Sequence, residues 1–135
     1  MEIGFDHVGL SVADLGAAEA FYEDAFGFSR QLAFELTPHP IRGLMLIHEN
    51  GMRLELFQHE ASVAGLQGAT PIEAIGRRGY GHFAFKALDI GPLFEAALAA
   101  GATTKVPPSP SPEPGVRFAF LADPEGNLIE LVERD

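Results

Sequence analysis

Two histidines and two glutamates recur along this chain at one fixed interval, and that interval limits the folds open to it. His7, in Phe5-Asp-His-Val-Gly-Leu-Ser-Val12, precedes Glu55, in Met52-Arg-Leu-Glu-Leu-Phe57, by 48 residues (55 minus 7). His82, in Gly81-His-Phe-Ala-Phe-Lys86, precedes Glu130, in Asn127-Leu-Ile-Glu-Leu-Val132, by the same 48 (130 minus 82). The shift between copies is 75 residues for both types, and it also lays Asp14 on Asp89, Gly51 on Gly126, Leu54 on Ile129 and Leu56 on Leu131. The chain therefore reads as two copies of one unit. A copy of about 55 to 60 residues buries little surface alone, so the two depend on each other or on a second chain.

Hydrophobic periodicity gives each copy the order β-α-β-β-β. The first strand, Phe5 to Val12, sets His7, Gly9 and Ser11 on one face and Val8, Leu10 and Val12 on the other. Asp14 then caps a helix to Phe26, with Leu15, Ala18, Phe21, Tyr22 and Ala25 at helical spacing and Gly27 as its stop. A strand follows from Ser29 to Leu36, broken by Thr37-Pro-His-Pro40. Asn50-Gly51 joins strands over 43–48 and 52–58, because this dipeptide readily adopts positive φ. On the last strand Arg53, Glu55 and Phe57 share a face opposite Leu54 and Leu56, so if the aliphatic sets meet the helix, His7 and Glu55 both look away from it.

A connector with a short helix near Pro71 to Ile75 leads to the second copy. This has a strand from Gly81 to Ala87, the cap Asp89, a helix from Ile90 to Ala100 and the stop Gly101. Strands over 102–106, 117–122 and 128–132 complete it. The stretch Pro107 to Gly115 holds five prolines in nine residues; proline lacks the N–H a ladder needs, so it reads as a loop, either a connector or a lid. The expected organisation is one domain over 1–135, with modules at about 3–60 and 79–134 and a connector over 61–78.

Charge and composition narrow the partners. Nine basic against nineteen acidic residues give a net charge of −10, which repels phosphate backbones and argues against nucleic acid. No apolar run reaches the roughly 18 residues of a membrane span, the start Met-Glu-Ile-Gly lacks the features of a signal peptide, and the absence of cysteine fits a reducing cytoplasm. Anions can still bind where Arg53, Lys86 or Arg77-Arg78 gather. Helical and alternating spacing assign Phe21, Phe26, Phe83, Phe85, Phe94, Phe118 and Phe120 mainly to the core.

The four matched groups carry the chemistry. If a pseudo-twofold axis relates the copies, His7, Glu55, His82 and Glu130 converge on one point. Two imidazoles and two carboxylates suit Zn²⁺, Ni²⁺, Co²⁺, Fe²⁺ or Mn²⁺. Strand parity adds Ser11, Arg53, Phe57 and Lys86 to the same face, with His59 at its end, as substrate-contacting residues.

These motifs resemble the vicinal oxygen chelate superfamily, which includes glyoxalase I, methylmalonyl-CoA epimerase, extradiol dioxygenases and the fosfomycin and bleomycin resistance proteins. The likeness runs through His7-Val-Gly-Leu-Ser-Val-Ala-Asp-Leu15, Phe21-Tyr22 to Gly27-Phe28, Gly81-His-Phe-Ala-Phe85 and Asp123-Pro-Glu-Gly-Asn-Leu-Ile-Glu-Leu-Val-Glu133. It implies an α+β fold of two tandem βαβββ modules forming a cup-shaped mixed sheet, helices packed outside and the metal within, in a homodimer. It also implies His7, Glu55, His82 and Glu130 as the ligands. Glyoxalase I and the epimerase use all four positions, whereas the dioxygenases leave the second-position residue out, so Glu55 favours the lyase and isomerase branches.

Where glutathione-using glyoxalases carry Arg and Asn, this chain has Ser11 and His59, which points away from glutathione. The segment Thr70 to His82 is similar instead to methylmalonyl-CoA epimerases. The expected activity is that of a metal-dependent lyase or isomerase, moving a proton next to a carbonyl through a metal-stabilised enediolate or enolate. Its substrate is expected to be an oxo-acid, thioester or hemithioacetal. Glu130 is the first choice of base by resemblance and Glu55 the second, while Glu35 is a further acid/base candidate for an epimerase. The alternatives are an Fe(II)-dependent extradiol-type dioxygenase and a drug-binding resistance protein of the same fold.

Overall fold

Both copies fold as β-α-β-β-β in a computed structural model that describes residues 1–65 and 69–135; residues 66–68 of the connector lie outside the described residues. The first copy holds β1 (Val8–Ser11), α1 (Leu15–Phe26), β2 (Ser29–Glu35), β3 (Ile41–Ile47) and β4 (Arg53–His59). After α2 (Pro71–Ile75), the second holds β5 (Phe83–Ala87), α3 (Ile90–Ala99), β6 (Thr103–Pro110), β7 (Arg117–Ala122) and β8 (Leu128–Glu133). By contact the chain divides into a first unit, Met1–Glu23 with Gly27–Ala64, and a second, Asp24–Phe26 with Gly65–Asp135. The class is α+β, built from tandem βαβββ modules.

The first unit has a four-stranded sheet in the order β1-β4-β3-β2. β1 pairs with β4 in parallel, and the other neighbours are antiparallel. Leu44, Leu46, Leu54 and Leu56 form one face and are buried, as are Leu15, Ala18, Phe21 and Tyr22 of α1. Two contacts fix the helix to that face. Gln58, in phase with Leu54 and Leu56, accepts from the free N–H of Leu15 at 2.8 Å. Arg30, paired in register with Leu46, reaches Glu19 through two bonds of 2.6 Å.

The second unit repeats the plan in the order β5-β8-β7-β6, with the same alternation of parallel and antiparallel pairs. The 75-residue shift extends to hydrogen bonds: Glu133 accepts from Ile90 N–H at 3.1 Å, as Gln58 does from Leu15. Asp14 and Asp89 each cap a helix by accepting a backbone N–H at 3.0 Å. Gly51 and Gly126 close their turns at φ 95° and 90°, where a side chain would be strained. Phe26 lies in this second unit, its ring 4.7 Å from Phe85. Ala69 and Ala74 of the connector bury Leu128.

One expectation is corrected. Residues 107–110 are not loop but the end of β6, with Ser109 opposite Phe118 and Pro110 opposite Arg117. β6 is an outer strand of its sheet, and its register slips between Thr104 and Val106 and between Val106 and Ser109. An edge strand needs only one row of hydrogen bonds, and bulges absorb the missing ones. The turn proper is confined to 111–116, where Ser111 N–H donates to Val116 O at 2.8 Å. β1 is also shorter than expected, and Phe5 ahead of it is exposed. No described helix is long and apolar enough to cross a membrane.

Candidate functional site

In the first unit His7 and Glu55 meet on the sheet face turned away from α1. His7 stands just before β1, and β1 runs beside β4 with Gly9 opposite Glu55 and Ser11 opposite Phe57. His7 Nε2 lies 3.2 Å from Glu55 Oε1. Gly9 keeps the surface low here, since a Cβ on it would sit 3.9 Å from both Glu55 Oε1 and Phe57 Cε2. In the second unit His82 Nε2 lies 3.4 Å from Glu130 Oε1. The His82 ring meets the edge of Phe120 at a centroid distance of 4.9 Å and an angle of 81°.

The pairs are close to equivalent in exposure. The histidine side chains are 34% and 36% accessible and the glutamates 20% and 24%, so all four are open to a ligand yet half sheltered from water. Two donors bound to one first-row ion at about 2.1 Å, with an angle between 90° and tetrahedral, stand roughly 3.0 to 3.4 Å apart. Both Nε2 to Oε1 gaps fit that spacing. Among the described residues no group of three or more His, Cys, Asp or Glu is placed to hold a metal ion; the contacts found are the two histidine–glutamate pairs.

Sequence parity missed two neighbours of the His7–Glu55 pair. Asp6 Oδ2 lies 2.7 Å from His7 Nδ1, and Asp6 Oδ1 lies 3.6 Å from Arg53 Nη1. The Asp6 hydrogen bond, supported by the Glu55 charge, raises the His7 pKa above its ordinary 6.5. His7 and then Arg53 hold Asp6 below its ordinary 3.8. The adjacency of Asp6 and His7 was the available signal, but not the rotamer that joins them. Phe34 is the second: its ring covers Gly43 and meets Phe57 edge-on at 5.9 Å. An aromatic ring facing a strand glycine is a recurrent pairing.

The other expected contacts divide. Arg53, Phe57 and Ser11 lie on the Glu55 face by register, and the buried Nε of Arg53 has no hydrogen-bond partner among the described residues. His59 ends that face, but its Nδ1 accepts from Ala61 N–H at 2.9 Å and serves its own turn. Lys86 is on the Glu130 face, where its ammonium donates to a main-chain oxygen of Asp135 at 2.7 Å. Glu35 is removed from the acid/base set. It pairs with Arg42 on the helix side and lines a groove of about 410 Å³ with Leu15, Glu19 and Arg30, across the sheet from Glu55.

Comparison with known proteins agrees with this architecture. A putative lactoylglutathione lyase of Brassica oleracea var. gemmifera is 28% identical over 130 residues, covering 96% of this chain and 44% of its own length. The chain thus spans less than half of that relative. The crystal structure of glyoxalase I from Zea mays gives a TM-score of 0.77 at 23% identity, over 96% of this chain and 44% of that one. A mutant fosfomycin resistance protein from Listeria monocytogenes, complexed with Mn(II) and 1S,2S-dihydroxypropylphosphonic acid, gives 0.72 at 21%, over 100% and 93%. These likenesses establish the fold. The family model described as Glyoxalase/Bleomycin resistance protein/Dioxygenase superfamily matches residues 4–131, nearly the whole length, and the chain belongs to that superfamily.

Proposed function

We propose that the chain is a metal-dependent lyase or isomerase that shifts a proton on the carbon next to a carbonyl. One observation carries this: His7 with Glu55 and His82 with Glu130 occupy matched positions in the two copies, each histidine just ahead of its strand, at nearly equal separations of 3.2 and 3.4 Å, each the spacing of two donors on one ion. In this reading the four groups hold a single divalent ion of the Zn, Ni, Co, Mn or Fe kind. The two half-sites are completed within a chain or, in a homodimer, between two copies. Such an ion supplies a Lewis acid that polarises the substrate carbonyl and makes the neighbouring C–H acidic.

The remaining work falls to the protein. Glu130 takes the proton and returns it, with Glu55 the second candidate; both carboxylates are about one-fifth to one-quarter exposed, enough to meet a substrate. Arg53, whose side chain is 38% exposed, is the cation on this face that receives an anionic group of an oxo-acid or thioester. Phe57 and Phe34 offer an apolar wall beside it. The dioxygenase alternative would leave Glu55 outside the ligand set, and the near-equality of the two pairs speaks against that.

The test is metal titration of chelator-treated protein together with its mass in solution. One divalent ion per ligand set, lost when either Glu55 or His82 is replaced by alanine, supports the reading. Stoichiometric binding that survives loss of Glu55 would favour the dioxygenase set, and no binding at all would remove the proposal.

A further inference from the structure

The two half-sites differ in one respect that the duplicated spacing conceals. Position 6 of the first copy corresponds to position 81 of the second, and these hold Asp6 and Gly81. Asp6 lies 2.7 Å from Nδ1 of His7 and is steadied on its far side by Arg53 at 3.6 Å. His82 has no such carboxylate: among the described residues no hydrogen bond to its Nδ1 is present, and its ring is held by the edge of Phe120. A neutral imidazole carries one proton on one nitrogen, and the competing acceptors decide which: at His7 Asp6 on Nδ1 at 2.7 Å is closer than Glu55 on Nε2 at 3.2 Å, whereas among the described residues His82 has only Glu130, on Nε2 at 3.4 Å. In free solution the Nε2–H form is preferred, which would put an N–H where a metal-facing lone pair is needed.

We propose that Asp6 is a positioning residue for the first half-site, accepting a hydrogen bond from the Nδ1–H of His7 so that the proton stays on Nδ1 and the Nε2 lone pair is directed at the gap beside Glu55. The first half-site is thus set in advance, while the second adopts its ligating tautomer only when loaded. Asp6 acts through His7 and touches no substrate. The inference rests on the metal reading above for its consequence, but not for its geometry.

The experiment is nitrogen NMR of ¹⁵N-histidine protein without metal, at alkaline pH where the imidazoles are neutral. Wild-type His7 is expected in the Nδ1–H form. Asp6→Ala should move it toward Nε2–H, and Asp6→Asn should retain Nδ1–H because an amide oxygen also accepts. Gly81→Asp is the converse test. Gly81 has ordinary φ, and a Cβ there meets nothing within 4 Å, so an introduced carboxylate should bring His82 to Nδ1–H without disturbing the fold. Zn²⁺ competition should then give Asp6→Ala an affinity about 10- to 100-fold below wild type, with Asp6→Asn between them. An unchanged His7 tautomer in Asp6→Ala overturns the proposal whatever the metal does. A tautomer that shifts in a protein binding no metal would sustain Asp6 and sink the metal reading instead.

Discussion

Gly43→Ala is the substitution whose cost the structure defines most closely. Gly43 lies in mid-strand on β3, and its φ is not positive, so alanine meets no backbone strain there. The obstacle is the ring of Phe34, directly opposite in register, whose Cζ and Cε2 lie far inside van der Waals distance of an added Cβ, with Cε1 at 3.1 Å. The ring must withdraw by about 1 Å to restore carbon contacts near 3.5 Å. It cannot do so freely, because its other side meets Phe57 at 5.9 Å. Overpacking of this kind costs about 1 to 3 kcal/mol, and loss of the edge-on aromatic pair about 0.5 to 1.5 within that sum. Removing a strand glycine returns about 0.5 to 1 kcal/mol. The net is a loss of about 1 to 2 kcal/mol, read by urea unfolding as a lower midpoint at constant slope. In a Phe34→Ala background the obstacle is gone, and Gly43→Ala should be neutral or stabilising by about 0.5 kcal/mol. Equal destabilisation in both backgrounds would refute the steric account.

Glu130→Gln keeps volume but removes the proposed base; turnover should fall by about 100-fold or more, while the thermal midpoint barely moves, and an active variant would end the assignment. The raised pKa of His7 sets a pH edge: its protonated contacts stabilise the metal-free fold fully below the ordinary 6.5 and are lost as pH rises through the raised value. A metal ion held by His7 as proposed would displace that proton, so affinity should weaken as pH falls below the raised value, and Asp6→Asn should move the edge downward in a chelator competition. Glu19→Gln breaks the two-bond tie to Arg30, whose side chain is 52% exposed. It should cost about 0.3 to 1 kcal/mol at low salt and less at high salt, by thermal melts at two ionic strengths.

Much of this molecule could be read from its letters, for identifiable reasons. Capping aspartates and positive-φ glycines act within a few residues, so Asp14, Asp89, Gly51 and Gly126 were legible. The two histidine–glutamate pairs were legible because period-two alternation fixes faces, and a common 48-residue spacing implies common placement. What escaped depended on position across a sheet. The rule barring proline holds for central strands, and nothing in the letters marks β6 as an outer one. The pairing of Phe34 with Gly43 follows a register slip between Arg30 and Leu32 that no local pattern announces. Glu35 fell on the helix side for the same reason. The capping of α1 by Gln58 and of α3 by Glu133 spans 43 residues in each case, beyond the reach of local sequence rules.

The outer strands of the two sheets differ in what they offer to a stranger. β2 keeps a backbone donor at every residue and carries Leu32 at 57% exposure, an inviting template for an extended peptide or an unfolding neighbour. β6 spends three of its eight residues on proline, at 107, 108 and 110, and so cannot supply the continuous row of amides that recruitment requires. Of the two edges at the antiparallel ends of the sheets, the one in the first repeat is therefore the open door to sheet extension, and the second repeat has shut its own.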